Sequence, residues 1–313
     1  MSLEIRKKYF KNLTNTFECN KINDLMVEVK IRDDLFNNLL LYTNIYLSKS
    51  LNEKSPILEE KTLIEKILES KNSIKNMTPN GMLVPKRELS LDFNNFVRAY
   101  IKILDSLNLF SKIENFHFPP NIRLKYGEVD NDNMQRAHPT EMMHSDTWTG
   151  ANPNWIASHL YILGDIENNH LRYAYPPENF SEDWLKPIKK AEEGQLFAQK
   201  FHEIDYTPKP GHLVLADATI IHKSYRKAGA GIRISLDTGF DALMPELKSF
   251  NNTLIEELNV SSIRKEETVN KDMFWSIGDK FFCFFPDHFE TQNDTLGGYK
   301  HPSNPKIFNL DNE

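Results

Sequence analysis

Eight short strand-like runs, most of them separated by glycine- and proline-containing breaks, constrain the fold more than any other feature of this chain. The runs cover residues 121–127, 143–148, 155–163, 171–175, 202–207, 212–216, 220–225 and 232–240. Breaks at 150–153, 164–169, 176–177, 208–211 and 229–231 separate most of them. Several short strands at such spacing are typical of an all-β sandwich or barrel. Only the fourth and fifth runs lie far apart, and the segment 181–200 between them has a helical composition.

The first 120 residues have a different character. Stretches 33–46, 58–74 and 91–113 repeat apolar residues every three to four positions, which predicts amphipathic helices. We expect these helices to cover the outer face of the larger sheet, because a sheet with an apolar face must bury it against another layer. The sequence therefore predicts one domain, 1–313, with a helical part (1–120), a β core (121–240) and a C-terminal extension (241–313).

The extension contains a helix-like stretch, 246–258, and an aromatic segment, 273–285. Such a density of aromatic residues indicates core or a subunit contact, or a cover over the mouth of a pocket. The sequence leaves these alternatives open.

A candidate metal site stands on the β core. His144 and Asp146 are two residues apart on the second run, and side chains at i and i+2 of a strand point to the same face. His222 on the seventh run adds a second imidazole. Two histidines and one carboxylate on one side of a metal are the ligand set of non-haem Fe(II) oxygenases, with positions left open opposite. The similar pair His288 and Glu290 lies too near the chain end to belong to a barrel.

The order of these residues resembles a known family. Eight strands with His-x-Asp on the second, a histidine on the seventh and an arginine on the eighth resemble the 2-oxoglutarate and Fe(II)-dependent dioxygenases. The run from Lys209 to His222, in which Pro-Gly leads into an apolar strand and then a histidine, is most similar to the phytanoyl-CoA dioxygenase-like branch. The resemblance covers about residues 120–240. It implies a mainly β fold with some α: a double-stranded β-helix (jelly-roll, cupin-like) core wrapped by N-terminal helices.

The resemblance also implies roles for individual residues. His144, Asp146 and His222 would hold Fe(II), with affinity falling as the pH drops through the histidine range. Arg233 would bind the far carboxylate of the co-substrate 2-oxoglutarate through a bidentate pair of hydrogen bonds. Ser235, in an Arg-x-Ser pair also found in the branch resembling isopenicillin N synthase, would add a hydroxyl; the alternative is a small strand residue without a ligand role.

Four further residues are possible pocket residues. Strand alternation predicts that His159 and Tyr161 look into the barrel, where they would meet co-substrate or substrate, or would be hydrogen-bonded core residues. Trp148 and Arg172 fall near the expected mouth, where an aromatic wall and a cation would suit an anionic or polar substrate. A solvated arginine is the alternative for Arg172.

Composition narrows the class of partner. The formal net charge is -6, without an extended basic tract, so nucleic acid is not an expected partner. The two cysteines, Cys19 and Cys283, show no metal-type spacing. No apolar run reaches the ~20 residues that span a bilayer and no signal peptide is visible, so we expect no membrane partner and a cytoplasmic location. The oligomeric state stays open.

The predicted function is a non-haem Fe(II) and 2-oxoglutarate-dependent oxygenase that uses molecular oxygen, with hydroxylation of a small-molecule substrate as the expected reaction. Related halogenases carry a small residue in place of the carboxylate, so the presence of Asp146 favours oxygen transfer or oxidation. Two alternatives remain: a cupin-like metal-binding or sensing protein without oxidative turnover, and a metal-dependent isomerase or hydrolase. Function resides in the site rather than in the fold, so the fold does not decide between them.

Overall fold

The structure is a computed structural model. It describes residues 2–71, 73–74, 77, 81–83, 89–117, 120–128 and 139–242, and the backbone of three further strands. The predicted helix at 246–258 and the pair His288 and Glu290 lie outside the described residues, as do the side chains of the aromatic segment 273–285.

The helices occupy the expected part of the chain. They are α1 (Leu3–Thr14), α2 (Asp33–Ser50), α3 (Glu60–Glu69), α4 (Ser90–Ser106) and α5 (Ala191–Ala198). Helices α2, α3 and α4 overlap the three stretches with helical periodicity, and α5 lies in the insert between the fourth and fifth runs. In α4 the buried side chains recur every three to four residues, as an amphipathic helix requires: Phe93, Phe96, Val97, Tyr100, Ile101 and Leu104. None of the described helices is long and apolar enough to cross a membrane.

The strands supply the largest share of the buried hydrophobic core. In chain order they are β1 (Asn20–Asn23), β2 (Met26–Lys30), β3 (Ile113–His117), β4 (Asn121–Lys125), β5 (Trp155–Gly164), β6 (Asn169–Tyr175), β7 (His202–Glu203), β8 (His212–Asp217), β9 (Ile221–Arg226) and β10 (Arg233–Ala242). Backbone strands β11 (Phe274–Ser276), β12 (Phe281–Phe284) and β13 (Lys306–Asn309) follow in the extension.

Two antiparallel sheets form around the site. The larger has the order β1-β2-β8-β5-β10-β3-β11, with β4 also paired to β10, and the smaller has the order β7-β6-β9. His144 adds an isolated antiparallel bridge to His222 on the free edge of β9.

The strand order confirms the predicted fold class. Counted by the eight predicted runs, the larger sheet contains the first, eighth, third and sixth, and the smaller contains the fifth, fourth, seventh and second. Successive runs thus alternate between two antiparallel sheets, except that the fourth and fifth both lie in the smaller one, which is the interleaving of a double-stranded β-helix, or jelly roll.

Two differences from the sequence-based expectation concern strands. The part predicted to be helical also contains the hairpin β1–β2, and β2 pairs along β8 so that the larger sheet is extended at that edge. Residues 143–148 do not form a strand: only His144 is bridged, and a 3-10 helix (Asp146–Thr149) follows at once.

The face of β5 that points away from the site is apolar apart from Ser158, whose hydroxyl lies 2.6 Å from the Tyr100 hydroxyl of α4. This contact joins α4 to the outer face of the sheet. That the N-terminal helices cover the whole of this face stays a prediction.

Candidate metal centre

Three predicted ligands come together at one end of the barrel. His144, Asp146 and His222 each offer a ligand atom, and these atoms all lie within 4.8 Å of one another. The Nε2 atom of His222 is 3.9 Å from Oδ1 of Asp146, and the two imidazole centroids are 4.5 Å apart. Both histidines are buried. The set has the composition and the proximity that one divalent ion requires.

The two histidines are aligned by backbone hydrogen bonds. His144 N donates to His222 O, and His222 N donates to His144 O, both at 2.9 Å. The ring of His144 is oriented in addition by its Nδ1 atom, which lies 2.9 Å from Met142 O. Because a carbonyl oxygen only accepts, Nδ1 carries the proton there, and Nε2 is left with a lone pair for a metal. An orienting partner of this kind is usual behind a metal-bound imidazole.

Asp146 is positioned by a helix cap, not by strand alternation. It opens the 3-10 helix, whose preceding residue Ser145 accepts a hydrogen bond from Thr147 N at 3.3 Å. The Ser145 hydroxyl also donates to Ala218 O at 3.0 Å, which ties this turn to the segment that leads into β9. Gly150 ends the helix with φ 102°, a conformation that side chains disfavour.

One oxygen of the Asp146 carboxylate is already occupied. Trp155 Nε1 donates to Oδ2 at 3.0 Å, so Oδ1 is the oxygen on the His222 side. A Cβ atom on Gly239 would lie 2.1 Å from Trp155 Cζ2, so only glycine at 239 lets the indole take this place. Burial raises the pKa of the Asp146 carboxyl, but attraction to the surrounding imidazoles, above all His222, holds it below its usual range. The group is therefore ionised, which is the state that metal binding requires.

Arg233, the first residue of β10, is buried on the same side of the sheet as His159, whose imidazole feels its charge and packs against His222. It is 2% exposed, its Nε and Nη1 atoms have no hydrogen-bond partner among the described residues, and its Cζ atom lies 5.6 Å from the ring centroid of Tyr161. Burial lowers the pKa of the guanidinium. Burying a cation with unused donors costs free energy unless an anion pairs with it. A carboxylate or a similar group bound at Arg233 would provide that pairing.

Ser235 shares the cavity face of β10 with Arg233. It lies opposite Tyr161 of β5 and Arg123 of β4, and is 6% exposed. Its position allows its hydroxyl to contact a ligand bound at Arg233. The predicted role in co-substrate binding stays a prediction.

The two inward-facing residues predicted on β5 do lie in the cavity. The ring centroid of His159 is 5.1 Å from that of His222, and the Tyr161 ring lies beside Arg233. Burial lowers the pKa of His159 to about 3, so this imidazole is neutral. Tyr173 on β6, which the sequence reasoning did not single out, links them: its hydroxyl is 3.2 Å from the Tyr161 hydroxyl and 3.2 Å from His159 Nδ1.

The structure does not bring Trp148 and Arg172 to the pocket mouth. Trp148 is 1% exposed, and its indole donates to Trp184 O at 2.7 Å, so it packs under the insert. Arg172 points to the outer face of β6, where its Cζ atom lies 3.6 Å from the ring centroid of Tyr225 and Nη1 donates to Glu203 at 2.9 Å. Tyr173, the next residue, takes the inward position, and alternation therefore turns Arg172 outwards.

Strand β4 contributes polar, inward-facing residues that the sequence analysis did not single out. Lys125 lies opposite Arg233 in register, is buried, and donates to Thr140 Oγ1 at 2.9 Å. Arg123 is paired with Asp237 of β10 through two nitrogen–oxygen contacts, of which Nη2 to Oδ2 is 2.9 Å. Polar residues at alternate positions of a predicted strand were the sequence feature that could have indicated them.

Comparisons with known proteins give structural likeness only. No family model and no curated protein matches the chain. The chain is similar to the non-heme alpha ketoglutarate dependent epimerase SnoN from nogalamycin biosynthesis (11% identity, 76% of this chain and 81% of that chain, TM-score 0.41). It is also similar to an N-substituted L-amino acid dioxygenase from Burkholderia ambifaria in complex with alpha-KG (11% identity, 77% of this chain and 91% of that chain, TM-score 0.35). A third similar structure is EctD from S. alaskensis with 2-oxoglutarate and 5-hydroxyectoine (13% identity, 70% of this chain and 72% of that chain, TM-score 0.36).

At these low identities and TM-scores the likeness carries no argument about activity. The fold rests on the strand order described above, and the chemistry rests on the residues of the cavity. None of these three proteins is named as a phytanoyl-CoA enzyme, and the resemblance to that branch stays a prediction.

Proposed function

We propose that the protein is a non-haem Fe(II) and 2-oxoglutarate-dependent oxygenase that acts on a small molecule. The metal ligands in this proposal are His144, Asp146 and His222, and the far carboxylate of 2-oxoglutarate binds at Arg233, with Ser235 beside it. We further propose that residues 1–313 form one domain, and that the protein works in the cytoplasm.

One observation carries the proposal. A buried guanidinium, that of Arg233, has two nitrogens, Nε and Nη1, without a partner among the described residues. A line of contacting side chains, Tyr161, Tyr173 and His159, joins it to a two-histidine, one-carboxylate cluster. A site that binds only a metal ion does not require such a cation. A co-substrate that binds a metal at one end and carries a carboxylate at the other would use both.

Iron with 2-oxoglutarate supplies the activation of oxygen and the oxidation of a substrate C–H bond, and the protein supplies placement. His144, Asp146 and His222 would hold the iron, and a set of only three protein ligands would leave it able to bind co-substrate and oxygen. Trp155 orients the Asp146 carboxylate. Arg233 orients the co-substrate, and the buried strand faces exclude water. Hydroxylation is the reaction we propose, because Asp146 occupies the position that halogenases leave open.

Replacement of the guanidinium tests the proposal. In Arg233→Met we expect 2-oxoglutarate affinity, measured by calorimetry on anaerobic Fe(II)-loaded protein, to fall about 100-fold, since a charge-assisted bidentate contact is lost. Arg233→Lys should recover only part of it, because an ammonium lacks the planar fork. The matched control is Arg172→Met, which removes a guanidinium from the outer face of β6. Equal binding by Arg233→Met and the control would contradict the proposal.

Two outcomes would support the alternatives instead. Tight metal binding without any binding of 2-oxoglutarate would favour the cupin-like sensing protein. Turnover that depends on zinc or manganese but is indifferent to Arg233 would favour an isomerase or hydrolase. Formation of succinate, stimulated by a compound from a small-molecule screen and absent in Asp146→Ala, would exclude both.

A further inference from the structure

Lys125 and Arg233 are cross-strand neighbours inside the barrel. They lie directly opposite each other in the antiparallel register of β4 and β10, and residues paired in this way point to the same face of a sheet. On that face the same two strands bring Arg123 into contact with Asp237. Lys125 is 3% exposed and Arg233 is 2% exposed. Two cations are thus buried side by side on the inner face of the larger sheet.

The ammonium group of Lys125 extends towards the smaller sheet. Its Nζ atom donates to Thr140 Oγ1 at 2.9 Å. Thr140 lies in the segment that leads to His144, and its carbonyl oxygen accepts a hydrogen bond from Ser224 N of β9 at 2.7 Å. The charge of Lys125 therefore lies in the interior between the two sheets.

The acidic neighbour of Lys125 is shared with another cation. Glu141 Oε1 accepts hydrogen bonds from Nη1 and Nη2 of Arg226, both at 3.1 Å, but it lies 3.9 Å from Lys125 Nζ. In the part of the chain that the structure describes, no second acid forms an ion pair with Lys125, Arg226 or Arg233. Three cations in this part of the interior therefore share one carboxylate.

The surroundings of Lys125 disfavour its charged form. Burial lowers the pKa of this ammonium well below its usual range, and repulsion by Arg123, Arg226 and Arg233 adds to the effect, while attraction to Glu141 opposes it. Like charges that lie directly opposite each other on a sheet also destabilise the sheet. A carboxylate bound between the ammonium and the guanidinium would offset the burial and the repulsion together.

A second lysine–arginine pair, on the outer face of the barrel, shows the contrast. Lys223 of β9 lies opposite Arg172 of β6 in register. The Arg172 side chain is 36% exposed, and it donates to Glu203 at 2.9 Å. Water and a carboxylate therefore compensate the outer pair. The inner pair has neither the water nor an acid of its own among the described residues.

We propose that Lys125 is a second cation for the far carboxylate of 2-oxoglutarate, which lies between its ammonium group and the guanidinium of Arg233. This proposal rests on the proposed function. The planar fork of Arg233 orients the carboxylate, and the ammonium of Lys125 adds a charge-assisted hydrogen bond from the neighbouring strand. Lys125 thereby makes the site selective for 2-oxo acids that carry a second carboxylate.

A comparison of 2-oxoglutarate with pyruvate isolates this contact, because pyruvate is a 2-oxo acid without the second carboxylate. Calorimetry on the full chain, loaded with Fe(II) under anaerobic conditions, measures both affinities. In Lys125→Met we expect the affinity for 2-oxoglutarate to fall about 10-fold, since one hydrogen bond between charged groups is lost. The affinity for pyruvate should stay as in the wild type, so the preference for 2-oxoglutarate falls by the same factor.

Two further variants show whether the charge is responsible. Lys223→Met is the matched control, because it removes an ammonium from the outer pair, and it should leave both affinities unchanged. Lys125→Gln removes the charge but keeps a side-chain donor for Thr140. We expect Lys125→Gln to lose the preference for 2-oxoglutarate as Lys125→Met does.

A stability measurement separates binding from folding. Without Lys125, Glu141 keeps both hydrogen bonds from Arg226, and the repulsion at Arg233 is relieved. We therefore expect the denaturation midpoint of the ligand-free Lys125→Met protein to stay the same or to rise. A lower midpoint combined with an unchanged preference would assign Lys125 to folding alone and would overturn the proposal.

The remaining outcomes separate this proposal from the proposed function. An unchanged preference in both Lys125 variants, while Arg233→Met loses 2-oxoglutarate binding, overturns the second cation and leaves the proposed function standing. An equal loss of affinity for 2-oxoglutarate and pyruvate also overturns it, because Lys125 would then support the metal centre and not the far carboxylate. Absence of 2-oxoglutarate binding to the wild type overturns both proposals.

Discussion

His222 and Asp146 face each other across the candidate metal centre, but different kinds of structure hold them. His222 lies near the start of β9, which is paired along its length with β6 on one side and bridged to His144 on the other. Asp146 lies at the start of a four-residue 3-10 helix with no ladder of its own. Its position depends on single side chains: the Ser145 cap and the Trp155 indole.

The difference teaches where this site is sensitive to substitution. A ladder spreads the positioning of His222 over many backbone bonds that no side-chain change removes. The placement of Asp146 is set by two side-chain contacts, and each can be removed separately. We therefore expect metal affinity to depend on side chains around Asp146 that touch no metal themselves.

The largest effect is expected from the ligands. His144→Ala, Asp146→Ala and His222→Ala should each weaken Fe(II) binding by more than about 100-fold, because removal of a direct ligand costs more than the 10- to 100-fold typical of an orienting partner. Anaerobic calorimetry measures this, and circular dichroism reports whether the fold is kept. His202→Ala, on exposed β7, is the control. A ligand variant with the affinity of the control would remove that residue from the site.

A smaller loss is expected when the indole donor is removed. Trp155→Phe leaves Oδ2 of Asp146 without its hydrogen bond, and we expect Fe(II) affinity to fall about 10-fold. Trp148→Phe also removes an indole donor, but that donor serves the Trp184 carbonyl. If both variants lose affinity equally, general packing and not orientation of the carboxylate is responsible.

The smallest effect is expected at the helix cap. Ser145→Ala should lower the free energy of unfolding by about 1 kcal/mol, as other cap losses do, and should weaken Fe(II) binding a few-fold. Ser181→Ala removes an equivalent cap from another 3-10 helix and should leave Fe(II) binding unchanged. Chemical denaturation and metal titration of both proteins give the comparison. Identical metal affinities would mean that the Trp155 indole and the backbone bridge at His144, not the cap, place Asp146.

The regular part of the barrel was largely predictable, because its strands obey local rules. Every residue of β5 before Gly164 is buried, and β10 alternates polar cavity residues such as Arg233 and Ser235 with apolar ones. Glycine and proline mark the strand ends. The hairpin β1–β2 was missed because its two strands are short, and β2 becomes part of the sheet only through distant β8.

The irregular part of the site was not predictable in the same way. Strand alternation correctly placed His144 and Asp146 near each other but for the wrong reason, since the second residue starts a helix. The sequence also placed Arg172 near the expected mouth, whereas in the register of β6 the next residue, Tyr173, takes the inward position opposite His222. Register is decided by the neighbouring strand, which a single run of sequence does not contain.

The chemical composition of the site was determined by the sequence alone: two histidines, one aspartate and one arginine, in an order that only an interleaved barrel brings together. The tertiary structure alone decided what surrounds them: the burial of Arg233, the indole on Asp146, and the chain of hydroxyls that ends at His159. The physical reason is that residue type and strand period are local properties of a chain. Burial and hydrogen-bond pairing between β4, β5, β6 and β10 arise only when distant segments pack.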